Sequence, residues 1–152
     1  MKKIYLSGFD VFYQEAVQRG EILKKLCEKF GFVGIFPLDG EVKSVSAKDI
    51  FICNIELIDE ADIVVANLNP FRGNLPDDGT AFEIGYAFAK NKDIFGYISD
   101  GRTLREKFGE IDSNGFSVED FGSPVNLMLS QSAKIFVGDF ENCLKEISKN
   151  IN

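Results

Sequence analysis

The chain has 152 residues, a formal charge of −7, 45% hydrophobic and 27% charged residues, and no histidine. Its length suits one domain, residues 1–152, with a core of its own, and an acidic balance with no basic run argues against nucleic-acid polymer as a partner. The missing histidine excludes Ser-His-Asp and Cys-His catalysis and most metal sites, which leaves carboxylates, Tyr, Lys and Cys for acid–base work.

The opening "MKKIYLSG" has neither the apolar stretch nor the cleavage pattern of a signal peptide. No apolar run approaches the roughly 20 residues of a membrane span, so the expectations are a cytoplasmic location and no membrane contact. In chain order, residues 3–7 (KIYLS), 32–36 (FVGIF), 62–68 (DIVVANL), 93–99 (DIFGYIS) and 133–138 (AKIFVG) read as strands. Several are apolar nearly throughout, as parallel strands covered on both faces are. Helical patterns lie between them at 13–30, 47–61, 79–91 and 140–148, and Ser123 followed by Pro124 predicts the start of a short helix before the last strand. This alternation predicts an α/β fold, a single-domain open parallel five-stranded sheet with helices on both faces and flavodoxin-like strand order. Residues 100–122 are polar and punctuated by glycine, a surface excursion or lid. Cys27, Cys53 and Cys143 are widely spaced within apolar helical patterns and read as buried free thiols.

In such a sheet, ligands bind beyond the carboxyl ends of the strands. There the chain places "SGFDVF", "PLDGE" and "NLNPFRG", followed by "PDDGTAFE": acids, amides and aromatics, without a glycine-rich phosphate pattern. Asp10, Asp39, Asp77 and Asp78 would repel a phosphate, so an uncharged or cationic polar ligand is expected. Within the helix from Gly79, Ala81, Ile84, Gly85 and Phe88 form an apolar stripe, while Glu83 shares its stripe with Gly79, Thr80, Tyr86, Ala87 and Lys90. Spacing leaves Glu83 two readings. It is a solvated surface carboxylate, with Asp78 as helix cap and Asp77 as a favourable charge at the helix start. Or it lies in a cleft opened by its small neighbours, oriented by Tyr86 and Tyr5, with an Asp across the same pocket. Two carboxyls in one site separate their pKa values, so one stays ionised while the other holds a proton, as cleavage of a glycosidic bond with retention requires.

Taken together, "KKIYLSGFDVF", "FPLDGE", "ADIVVANLNPFRG", "PDDGTAFEIGYAFAKNK" and "SPVNLML" resemble the nucleoside 2-deoxyribosyltransferases. The resemblance runs from residue 2 to about 130 and implies exchange of bases on 2′-deoxynucleosides, with free purine or pyrimidine bases as partners and no cofactor or metal. It implies that Glu83 attacks the anomeric carbon, that Asp77 passes a proton to the leaving base, and that Tyr5 orients Glu83. It further implies that Gly8, Phe9, Asp10 and Phe12 form the base-side wall, that Gly79 and Asn54 lie at the substrate, and that Asn126 completes the site of a neighbouring subunit in a homo-oligomer, at least a dimer. Asn54 stands where some members carry an aspartate, which shifts the proton-transfer role to Asp77. Glu41 stands where some relatives bind the base through an amide. The alternatives are a hydrolase of the N-glycosidic bond of deoxynucleosides or their monophosphates on the same scaffold, and a metal-binding receiver-type module. The receiver lacks its acidic pair after the first strand and its closing Lys.

Overall fold

The computed structural model describes residues 1–40 and 45–151; Glu41 lies outside them. Five parallel strands, β1 (Lys3–Ser7), β2 (Val33–Ile35), β3 (Ile63–Asn67), β4 (Asp93–Ile98) and β5 (Lys134–Val137), form one sheet in the order β2-β1-β3-β4-β5. This is the predicted α/β, flavodoxin-like arrangement. Strand β1 spans its whole predicted run; the other four are a residue or two shorter than theirs, and Phe32, Phe36, Leu68 and Ala133 are buried as the chain leaves the sheet.

Period-two alternation decides which face each strand residue serves. Ile4, Leu6, Ile63, Val65 and Tyr97 pack under α1 (Ala16–Lys29) and α6 (Phe140–Ile151), against Leu23, Cys27, Leu144 and Ile147. Tyr5, Ile35, Val64, Ala66, Ile94 and Ile98 face α2 (Ala47–Glu60), α3 (Asp78–Ala89) and α5 (Leu127–Ser132), against Ile58, Ile84, Ala87 and Val125. Central β3 is buried along its whole length.

Several boundaries depart from the sequence reading. Helix α1 starts at Ala16 because a 3₁₀ turn, Phe9–Phe12, occupies the chain before it. Helix α5 is capped by Asn126, whose side chain accepts from the Met128 amide; Ser123 instead accepts from Val125 N in a local turn. Helix α3 is capped by Asp77, not Asp78. The 100–122 excursion contains α4 (Leu104–Phe108), opened by a reciprocal capping box between Thr103 and Glu106. That Thr-x-x-Glu spacing is legible in the sequence.

The three thiols are free and buried. Burial pushes those of Cys27 and Cys143 up to about 12 and that of Cys53 upward as well. Since the thiolate is the reactive form, the native protein should resist a thiol reagent at pH 8 and react at all three positions once denatured. Fast labelling of the folded protein would contradict this packing.

Candidate active site

The carboxyl ends of β1 and β3 meet the start of α3. Tyr5 and Ser7, two residues apart on β1, point to the same face, and that face carries α3. The Tyr5 hydroxyl donates to Glu83 Oε1 at 2.8 Å, and the Ser7 hydroxyl donates to Glu83 Oε2 at 2.5 Å. Both oxygens of the partly buried carboxylate are therefore held by neutral donors, and among the described residues it has no cationic partner. Its pKa is raised, chiefly by burial and further by the negative charge of Asp77; the Ser7 and Tyr5 hydrogen bonds pull the other way. Burial beside the same carboxylate pushes the Tyr5 phenol upward, so it stays a donor.

Ser7 was not singled out from the sequence. The available signal was its i, i+2 relation to Tyr5 at the end of a strand. Tyr86, expected to help orient Glu83, donates instead to both oxygens of Asp59 at 3.0 Å. The stripe assignment on α3 also changes. Thr80, Ile84 and Ala87 face the sheet, while Phe82 and Phe88 are 52% and 59% exposed, so the helix keeps Ile84 of the apolar stripe inside and turns its two phenylalanines outward.

Asp77, the N-cap of α3, lies six residues before Glu83. Its Oδ2 accepts from Thr80 N at 2.9 Å and from the Thr80 hydroxyl at 3.1 Å, leaving Oδ1 outside the cap. Gly79 keeps this carboxylate in place, since a Cβ there would stand 3.0 Å from Asp77 Oδ2. Gly8 is also a position of close approach: a Cβ would meet Asn67 Cβ at 2.8 Å and Asp10 Oδ2 at 3.1 Å.

After Gly8 the 3₁₀ turn carries Phe9 and Phe12, and both stack on Phe71 from the loop after β3, with ring centroids 5.1 Å apart in each pair. The Arg72 guanidinium lies over Phe12 and Phe71 at 4.9 and 4.7 Å. An aromatic wall so built offers a flat face to a planar heterocycle. Asp10 is not on that wall. It is 4% exposed, accepting from Arg19 Nε at 2.8 Å and Asn67 Nδ2 at 2.9 Å, so its charge is balanced internally and does not oppose a phosphate at the rim. Asn54, on α2, has a buried side-chain oxygen with no hydrogen-bond partner among the described residues, and no bond joins it to Glu83, Asp77 or Tyr5.

Asn126 is exposed. It lines a cleft with Ala81, Gly85, Phe88 and Met128, and Glu83 is not among the residues of that cleft. Among the described residues no group of acids and thiols has the geometry of a metal site, and no helix is long and apolar enough to cross a membrane.

A family model for nucleoside 2-deoxyribosyltransferase matches residues 4–128. The chain is similar over its whole length to 2-desoxiribosyltransferase from Leishmania mexicana, with 33% identity, 100% of both chains covered and a TM-score of 0.89. Its fold is also that of a CMP N-glycosidase from Clostridium botulinum, at 17% identity, 97% and 99% coverage and a TM-score of 0.55. An uncharacterized protein of Schizosaccharomyces pombe is 34% identical over 113 residues, 68% of this chain and 53% of that protein; the chain thus spans about half the length of that curated relative.

Proposed function

The chain belongs to the nucleoside 2-deoxyribosyltransferase family, and from that premise we propose that it moves 2-deoxyribose from one nucleobase to another through a covalent ester on Glu83. The observation that carries this reading is the Glu83 carboxylate, buried against β1 and held by two hydroxyl donors. A carboxylate so placed is aimed without being quenched by an ion pair, which suits a nucleophile.

In the first displacement a Glu83 oxygen bonds to C1′ while the C1′–N bond breaks. The electron pair leaves with the base nitrogen, which takes a proton from Asp77. In the second, a nitrogen of the incoming base bonds to C1′, the ester C–O bond breaks, Glu83 is regenerated, and Asp77 recovers a proton from the incoming base. Two inversions give net retention. The Phe9–Phe71–Phe12 wall holds either base in turn and helps exclude water, which would otherwise hydrolyse the ester.

Assembly fits the same reading. Val125 is fully buried and covers its own sheet, whereas Met128 in the same segment is exposed. Exposed apolar side chains lie on α2, α3 and α5, where Phe51, Phe82, Phe88 and Met128 are 51%, 52%, 59% and 72% exposed. Such a patch is a candidate subunit interface, and a two-fold dimer across it would let each Asn126 serve the other subunit's site. The enzyme would then work as a cytoplasmic homo-oligomer recycling bases and deoxynucleosides.

The test is an exchange assay with thymidine or deoxyinosine as donor and adenine as acceptor. The expected result is deoxyadenosine with retained configuration and parallel double-reciprocal lines as both substrates vary. Intersecting lines or an inverted product would argue for direct displacement. Free deoxyribose with no new nucleoside would make the chain a hydrolase. A phosphorylated donor is favoured by one observation, the Arg72 guanidinium on the aromatic wall with no carboxylate partner among the described residues; a deoxynucleoside monophosphate in the same assay settles which donor is used.

A further inference from the structure

The excursion after β4 grips the start of α5 through one carboxylate. Glu119 Oε1 accepts from Asn126 Nδ2 at 2.8 Å, and Glu119 Oε2 accepts from Leu127 N at 2.9 Å. Asn126 Oδ1 in turn accepts from Met128 N at 2.9 Å. These partners leave the amide one orientation: the backbone N–H needs the oxygen and the carboxylate needs the NH₂, so a flipped amide would set donor against donor and acceptor against acceptor. One N–H and one oxygen lone pair remain on this exposed side chain. A sugar hydroxyl, donor and acceptor at once, complements that pair.

We propose that Glu119 is a positioning residue for sugar recognition, holding the Asn126 amide in the orientation that meets a deoxyribose hydroxyl in the neighbouring subunit's site. This rests on the reading of Asn126 given above. Helix α5 has six residues, too short to hold its own first turn, and its leading N–H groups need outside acceptors. Glu119 supplies one of them and removes the rotamer freedom of Asn126 in the same contact. Glu119 is itself braced. The neighbouring Val118 accepts from Arg105 through its carbonyl at 3.0 Å and donates through its amide to Glu110 O at 2.9 Å. On either side, Leu104 N donates to Ser123 O and Lys107 Nζ to Pro124 O. The excursion thus carries a carboxylate to the start of α5 instead of forming a free lid.

Charge-assisted hydrogen bonds of this kind are strong enough that Glu119→Ala should lower kcat/KM about ten-fold or more, with Glu119→Gln, which keeps one acceptor, in between. The decisive measurement is subunit mixing by co-expression. Glu119→Ala with Glu83→Ala should exceed the mean of the unmixed proteins, because one hybrid site pairs an intact Glu83 with an intact Glu119–Asn126 unit. Glu119→Ala with Asn126→Ala should show no such gain, since both lesions lie on the lent element. A general loss of stability would not produce this pattern, and Glu119→Gln gives the same comparison if the alanine variant does not fold. The control is Glu83→Ala with Asn126→Ala. Its failure would overturn the in-trans reading and this inference with it. Success of the control together with wild-type activity in Glu119→Ala, or with restoration by Asn126→Ala subunits, would overturn this inference alone.

Discussion

Replacing Glu83 by glutamine is expected to lower base exchange by about three orders of magnitude or more, the scale on which losing a covalent nucleophile acts. The fold should survive, because glutamine still offers an oxygen to the Tyr5 hydroxyl and a donor to the Ser7 hydroxyl. Stability should move the other way. The folded pKa of Glu83 is raised, mainly by burial. The group's stabilising contribution is therefore complete below its unfolded pKa of about 4.3 and is lost as pH rises through the folded value. At pH 7 the ionised carboxylate costs stability, so Glu83→Gln should melt no lower than the parent, with the advantage shrinking as pH falls toward 4. The parent's activity should have its acid limb above the ordinary glutamate range, because only ionised Glu83 attacks. Near-normal exchange by Glu83→Gln, in protein shown to be free of deamidation, would remove Glu83 from the reaction.

The second large effect is expected from Asp77→Asn. Asparagine caps helices as well as aspartate does, and its oxygen can replace Asp77 Oδ2 at Thr80, so α3 should keep its start and the melting temperature should change little. What asparagine cannot do is shuttle an acidic proton to a base nitrogen. Loss of general acid catalysis is worth about 10²–10⁴-fold. The loss should be largest for donors whose bases leave poorly without protonation and smallest for activated leaving groups. Asp77→Ala should add a stability loss of about 1 kcal/mol from the missing cap. An equal rate loss for good and poor leaving groups in Asp77→Asn would show that Asp77 binds the sugar without transferring the proton.

The contrast between α3 and its surroundings shows where sequence reading stops. Sequence spacing puts Gly79, Thr80 and Ala87 on one stripe and Ala81, Ile84, Gly85 and Phe88 on the apolar one; of the latter, Ile84 is buried and Phe88 is exposed. Helix α3 rests on the sheet through Thr80, Ile84 and Ala87, and its Glu83 is the polar partner of Tyr5 and Ser7 on β1. The outward-facing Phe82 and Phe88 belong to the surface proposed above as the subunit interface. Asp10 is a second case. As a sequence it is an acid at a strand end, and only the packing of α1 brings Arg19 to it.

What the sequence by itself determined is what depends on near neighbours. Alternation of apolar runs with helical periods specified five parallel strands, and the helical period of "GTAFEIGYA" put Glu83 on one stripe with Gly79, Thr80 and Ala87. Those signals rest on relations of two to four residues along the chain, which local geometry converts directly into faces. The tertiary structure alone decided which hydroxyls meet Glu83, since Tyr5 and Ser7 are 78 and 76 residues away. It likewise decided that Glu119 grips Asn126. Those contacts follow from strand order and from the rotation of each helix about its axis, and both are set by the packing of the whole core, so no local pattern can encode them.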